Sequence, residues 1–301
     1  MVNMESSLKW HEYVITRLIK VAGYSAIVFV AMIFYFLMRE GLPTLGEVSI
    51  VKLLSTRWYP IEDYFGILPL LGGSLLVTVG AALFAIPIGV GTALFIAEVA
   101  PRWAREFLKP LVEVLGGIPS VVLGFLGILI LAPALRRLLD LPTGLTALAG
   151  SILLGGIAIP TIVSVAEDAL DAVPGSYRDA ALALGATRWQ TIWRVTLPAA
   201  RTGVLTAIML GIGRAIGETM TVMMVTGNAA VLPIKLNSLF SPVRTMTATI
   251  AAEMGEVAKG STHYHVLFFI GIVLFLISLG INVAASTAVF QQSKRAERIL
   301  S

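Results

Sequence analysis

Two ionisable residues stand isolated in an apolar run. The stretch 211–224, GIGRAIGETMTVMM, carries Arg214 and Glu218, and the nearest charges outside the pair are Arg201 and Lys235. Positions four apart share a face of an α-helix, so an ion pair is expected between them. Within the hydrocarbon of a bilayer such groups are costly, and they usually mark an ion or substrate path. A guanidinium presents planar, forked donors that suit a tetrahedral oxyanion. A carboxylate beside it would keep that anion from binding too tightly, since transport needs release as well as capture. Thr219 extends the polar surface, and Gly213 and Gly217 form a GxxxG edge along which another helix can approach closely. The competing reading is a buried pair that only fixes helix register.

This chemistry requires a membrane around it. The chain has 301 residues, of which 57% are hydrophobic and 13% charged, with a mean hydropathy of +0.88. Soluble domains carry roughly 25% charged residues, so a soluble fold of this size could not cover its apolar area. The net charge of +4 is modest. No basic face with interleaved aromatics is present, which argues against nucleic acid as a partner. The absence of cysteine excludes disulfides, thiolate metal sites and cysteine nucleophiles. Near the start, Glu5 and Glu12 precede an apolar run without an AxA-like cleavage site, which reads as an uncleaved first span.

Windows free of charge define six spans of helical length, at about 18–38, 70–97, 112–133, 145–167, 202–227 and 266–290. Pro87 is expected to kink the second. The fold class is all-α, a polytopic membrane protein forming a single permease-like domain over 1–301. Placing both termini inside puts thirteen of the 22 lysines and arginines on the inner side and eight outside, with Arg214 in the membrane, in the sense of the positive-inside bias. Two long outer segments result, 39–68 and 228–264. The second contains TMTATIAAEMGEVAKG (245–260), which can form a short surface helix. It also holds His263 and His265, an HxH pair better read as two interfacial histidines than as metal ligands, because further ligands would be needed within reach.

The inner segment 171–200, DAVPGSYRDAALALGATRWQTIWRVTLPAA, is long for a connection. Pro174-Gly175 breaks the chain, Ser176 can cap a helix, and Gly185 suits the left-handed residue that would end it. Beyond it Trp189, Ile192, Trp193 and Thr196 fall on one helical face, and Pro198 is expected to close this second helix before the next span. Such an element could lie on lipid headgroups or plug into a groove of a partner protein. The small Ala180 and Ala181 favour a close-fitting protein socket.

Within this segment, DAALALGATRWQTIWRVTLP resembles the EAA loop of ABC importer permeases, whose pattern is EAA, three residues, Gly, nine residues, then I-x-L-P. Asp179, Ala180, Ala181 and Gly185 match the first part, and Val195, Leu197 and Pro198 the last, with Asp in place of Glu and Val in place of Ile. The resemblance implies a coupling helix that docks, with Trp189 nearby, into a cleft of an ATP-hydrolysing subunit. The segments 65–101, 115–133 (LGGIPSVVLGFLGILILAP) and 213–228 (GRAIGETMTVMMVTGN) are similar to phosphate-specific transport permeases, most of all to their C-type member. Membership implies a type I importer permease in a prokaryotic inner membrane. Its partners would be a homologous second permease, two ATPase subunits, an extracytoplasmic phosphate-binding protein and membrane lipid. It also associates the intramembrane Arg214 and Glu218 with transport.

No GxxxxGK[ST] loop occurs anywhere in the chain, so no catalytic residue, metal or cofactor is assigned to it. ATP and Mg would be used by the separate ATPase. An importer of another oxyanion, such as sulfate or molybdate, is the nearest alternative. An ion-coupled carrier working without ATP is the next. An intramembrane hydrolase would need a nucleophile and base at matched depth, and no Ser–His or paired-Asp set in the spans supplies one.

Overall fold

The computed structural model describes residues 2–300, and the side-chain surroundings of 13–287 apart from 236 and 285. The flanking charges Lys9, Lys294, Arg295 and Arg298, used above for orientation, lie outside those described side chains. Helix α1 (Val2–Gly41) leads through two short turns of helix, α2 (Thr44–Glu47) and α3 (Ile50–Leu53), to a small antiparallel hairpin of β1 (Trp58–Tyr59) and β2 (Tyr64–Phe65). Then come α4 (Leu68–Leu94), α5 (Arg102–Gly116), α6 (Ser120–Leu126), α7 (Ala132–Leu138) and α8 (Ala147–Asp171). The chain continues through α9 (Gly175–Ala183), α10 (Arg188–Thr191), α11 (Leu197–Gly217), α12 (Met220–Val225), α13 (Met246–Glu253) and α14 (Thr262–Leu300).

Among the described residues, six helices are long and apolar enough to cross a membrane: Tyr13–Glu47, Leu68–Val99, Ser120–Leu138, Ala147–Asp171, Arg188–Gly217 and Thr262–Ala284. The third begins later than 112. Residues 102–116 form the separate amphipathic α5, because Gly116-Gly117 and Pro119 interrupt the helix and α6 restarts at Ser120. α5 buries Ala104 against the bundle and leaves Trp103, Phe107 and Val114 exposed on its other side. α4 runs through Pro87 as one helix and passes into a π turn at Phe95–Val99.

The core is built on α8, which packs between α4 and α11. On α4 the buried residues Gly73, Val77, Ala81, Ala85, Gly89 and Ala93 repeat every four positions. Small residues on one stripe let backbones approach, which is how membrane helices associate when water supplies no driving force between them. A Cβ added at Gly89 would press on Ile162 of α8, at 2.8 Å, and Ser151 of α8 donates its hydroxyl to Val77 O at 3.3 Å and to Ala147 O at 2.9 Å. α1 lies outside this core. It touches α14 through Phe34–Phe275 and Phe36–Phe268, and its other faces are exposed apolar surface suited to lipid or to another chain.

One end of the bundle, here the loop end, carries α5 and α9. The other, the far end, carries the β-hairpin, the 139–146 turn and α13.

Candidate functional site

Arg214 and Glu218 do not pair. α11 ends at Gly217, Glu218 is extended (φ −69°, ψ 129°), and the chain re-enters helix at Met220. The span expected at 202–227 is therefore broken, and its two charges no longer share a helical face. The physical reason is local. Gly217 is a poor helix former, and the Glu218 carboxylate caps the next helix, its Oε1 accepting from Thr219 N–H and Thr221 N–H, each at 3.2 Å. Thr219 sits at the break, its hydroxyl donating to Gly217 O at 3.2 Å, and Thr247 of α13 donates to Glu218 O at 3.1 Å.

Arg214 is held by neutral acceptors instead. One guanidinium nitrogen, Nη1, donates to Thr161 Oγ1 of α8, and Nη2 donates to Gly116 O, each at 3.1 Å. Gly116 is the last residue of α5, so the arginine reaches from one interrupted helix to the other. The two breaks are also tied directly, because Thr221 of α12 donates its hydroxyl to Ser120 O at the start of α6 (2.8 Å), and Gly124 of α6 faces Met224. Beside the arginine the helix surface is open: a Cβ at Gly213 or Gly217 would meet nothing within 4 Å. Discontinuous membrane helices of this kind expose backbone groups and helix ends where a polar solute can be handled mid-membrane. Thr161, Gly116, Ser120 and Thr221 were not distinguishable in the sequence, although the GGIPS run (116–120) marked the helix break on which they converge.

At the loop end, α9 stands clear of the bundle with no buried residue. It starts at Gly175 after Pro174, without a side-chain cap, so Ser176 lies inside the helix and not at its cap. Gly185, at φ 84°, ends it. Gly185 N–H bonds Leu182 O (3.0 Å) and Ala186 N–H bonds Ala181 O (3.1 Å), the paired bonds of a Schellman motif. Thr187 and Gln190 then close a capping box that starts α10. Pro198 does not end a helix. A π turn at Ile192–Thr196 shifts the bonding register, and Pro198 falls in the first turn of α11, where its missing N–H costs little. The expected one-sided face divides accordingly: Ile192 and Thr196 are buried, whereas Trp189 (63% exposed) and Trp193 (51%) stack edge-on at 6.1 Å and, with Leu197, border an apolar groove of about 620 Å³ against α4. Asp179 and Ala180 are exposed and Ala181 is half-buried.

Arg178 fixes α9 to the membrane helices. Its Nε and Nη2 both donate to Glu98 Oε1 (3.0 and 2.7 Å), and it also donates to Leu170 O in the last turn of α8 and to Val173 O just beyond it. The carboxylates Glu98, Glu167, Asp168 and Asp171 all lie at this end of the membrane helices. In the fold Glu167, 2% exposed, pairs with Lys109 of α5 at 2.6 Å, Asp168 reaches the same ammonium at 3.2 Å, and Arg105 meets Asp171 at 3.5 Å. The Glu167 hydrogen bond, opposed by burial and aided by Asp168, holds the Lys109 ammonium above its ordinary pKa.

At the far end His263 Nε2 lies 2.8 Å from Glu253 Oε2, Arg244 is 2.7 Å and the Trp58 indole 3.2 Å from Oε1. Burial pushes the Glu253 carboxyl up, but the His263 hydrogen bond, the Arg244 charge and the Trp58 indole outweigh it and hold the group below its ordinary pKa. His263 and His265 do not converge on a shared ligand set: among the described residues no group of three or more His, Asp or Glu side chains could hold a metal ion.

A membrane bundle with interrupted helices around an arginine, and a separate helix presented at one end, is the architecture of a solute permease. Residues 85–296 match the binding-protein-dependent transport system inner membrane component, and the chain belongs to that family. It is 42% identical over 235 residues to a probable ABC transporter permease, YqgH, of Bacillus subtilis, covering 77% of this chain and 75% of that one. To the phosphate transport system permease PstC of Xylella fastidiosa it is 33% identical over 260 residues (80% and 79% of the two chains), and to that of Haemophilus influenzae 34% over 265 (80% and 82%). Among solved structures, the inward-facing MetNI methionine ABC transporter shares the fold at a TM-score of 0.58 and 21% identity, covering 78% of this chain and 99% of that one. A bacterial ABC transporter for alginate import does so at 0.55 and 17% (91% and 99%).

Proposed function

We propose that this chain is the C-type permease subunit of an ATP-driven importer that carries inorganic phosphate inward by alternating access. The observation that carries the reading is Arg214. Its guanidinium stands in a membrane helix, beside two helix breaks and an open glycine edge, held by a hydroxyl and a carbonyl and, among the described residues, by no carboxylate. A passing oxyanion can take up the remaining forked donors. Release needs no competing Glu218, because closure of the path restores the neutral acceptors. Glu218 and Thr219 serve by shaping the break. The names of the phosphate permeases related to this chain support phosphate as the cargo.

The loop end is the cytoplasmic one, so both termini are cytoplasmic. There α9, with Asp179, Ala180, Ala181 and Gly185, docks into one of two ATPase subunits, which use ATP and Mg. Trp189, Leu197 and Pro198 join that helix to the membrane span. Movement of α9 passes to α4 and α8 through Arg178. A homologous second permease lies against this chain, membrane lipid surrounds the pair, and a phosphate-binding protein docks on the far end.

The test is labelled-phosphate uptake into vesicles containing this chain with its partner permease, ATPase and binding protein, ATP being supplied on the ATPase side. Uptake is expected to require ATP, to ignore sulfate and molybdate, and to be lost in Arg214→Ala while the subunits still assemble. Transport of a competitor would change the cargo, gradient-driven uptake without ATP would overturn the importer, and loss of assembly in Arg214→Ala would make the arginine structural.

A further inference from the structure

The far end holds a second cationic feature, apart from the helix breaks around Arg214. The span Ser120–Leu138 ends in a turn carrying Arg136 and Arg137. Leu141 N–H bonds Arg136 O (3.0 Å) around Asp140, which adopts the left-handed conformation (φ 48°). Glycine usually takes that position, and aspartate is among the few other residues that tolerate it. The loop then folds back on the helix: a Cβ at Gly144 would overlap the Ala132 carbonyl, and Leu145 N–H donates to Thr143 Oγ1 (3.2 Å). The result is an open-sided cavity of about 520 Å³ with its charged residues exposed.

Its lining has three zones. Ile128, Ala132 and Pro133 form an apolar wall, Arg136 and Arg137 a cationic one, and Asp140 a single anionic point. The other described arginines at this end, Arg39, Arg57 and Arg244, each meet a carboxylate within 4 Å, whereas Arg136 and Arg137 meet none among the described residues, Asp140 included. The depth is informative as well. Leu135, the residue before the pair, packs with Ala149 in the first turn of α8, at the far end of that span. The arginine turn therefore lies at headgroup level, with Ile128 about 12 Å deeper.

We infer that this cavity is a phospholipid site that selects an aminophospholipid. The phosphodiester sits between the two guanidiniums, the primary ammonium faces Asp140, and an acyl chain lies along Ile128, Ala132 and Pro133. Inorganic phosphate would use only the middle zone, and a phosphatidylglycerol headgroup would leave Asp140 facing hydroxyls.

The experiment is lipid retention by the full-length chain in nanodiscs of equal phosphatidylethanolamine and phosphatidylglycerol, followed by detergent transfer, native mass spectrometry and lipid quantification. Wild type is expected to retain phosphatidylethanolamine above its share. Replacing Arg136 and Arg137 by Gln should lower retention by about fivefold for each charge removed. Asp140→Asn, which keeps a residue tolerant of the left-handed turn, should retain lipid but lose the preference for phosphatidylethanolamine. If the double variant does not fold, Asp140→Asn alone decides. Unchanged retention in a folded double variant, or an unchanged preference in Asp140→Asn, overturns the inference. So does displacement of the lipid by millimolar inorganic phosphate, which would make this a free-anion site.

Discussion

Arg214 shows how a chemical reading can be attached to a geometry that the fold does not keep. Its isolation in an apolar run was visible in the sequence, and so was the suitability of a guanidinium for an oxyanion. The expected partner was not the real one, because spacing of four defines a shared face only while the helix continues, and it stops at Gly217. Glu218 then caps α12 through Thr219 and Thr221. Replacing Glu218 by Ala should cost about 1 kcal/mol of stability, the usual cost of a lost cap. Because Arg214 is bound elsewhere, the stability losses of Arg214→Ala and Glu218→Ala should add to within about 0.5 kcal/mol in the double variant. Denaturation of the single and double variants measures this directly. A coupling well above that margin would restore the ion pair.

At the scale of elements, span number and approximate position were legible because a run of apolar residues long enough to cross the bilayer is a strong signal. The turn chemistry at Gly185 was legible too, since a left-handed residue after a short helix is nearly always glycine or asparagine. What was hidden depended on bonding register: the π turn that carries the helix past Pro198, and the break that separates α5 from α6. Charges at helix ends were hidden for another reason. Arg178 and Glu98 are 80 residues apart, and only the fold brings them together. Gly185 has free space around it within this chain, so substitution there strains the backbone without clashing with the chain's own neighbours. Gly185→Val should destabilise the α9 ending by about 1–2 kcal/mol. It should also reduce ATP-driven uptake while leaving membrane insertion and the α11 span intact. Uptake and ATP hydrolysis measured on the same vesicles check this, and unchanged uptake per ATP would remove α9 from the coupling route.

For the molecule as a whole, ion pairs bolt the two ends, and the middle is joined by hydrogen bonds without an ion pair among the described residues. At the loop end α5, α8 and α9 are joined through Lys109, Arg105 and Arg178. At the far end Glu253 gathers Trp58 from the hairpin, Arg244 from the preceding segment and His263 from α14. Between them, Arg214 and Thr221 span the helix breaks with bonds to hydroxyls and carbonyls that can be exchanged at little cost. Such a distribution suits a bundle whose ends move as units about a changeable centre. The far-end cluster gives this a pH signature. Because the folded protein holds Glu253 below its ordinary value of 4.5, the folded state binds fewer protons there than the unfolded chain. The contribution to stability is therefore complete above about pH 4.5 and is lost as pH falls through the lowered folded value. Glu253→Gln should lower stability near neutral pH by about 2 kcal/mol, the scale of hydrogen bonds to a charged group. The gap between wild type and variant should close as the pH is taken below 4. Thermal unfolding in detergent across pH 3–8 measures it. A gap that persisted unchanged at the acid end would mean that the carboxylate's charge is not what holds the far end together.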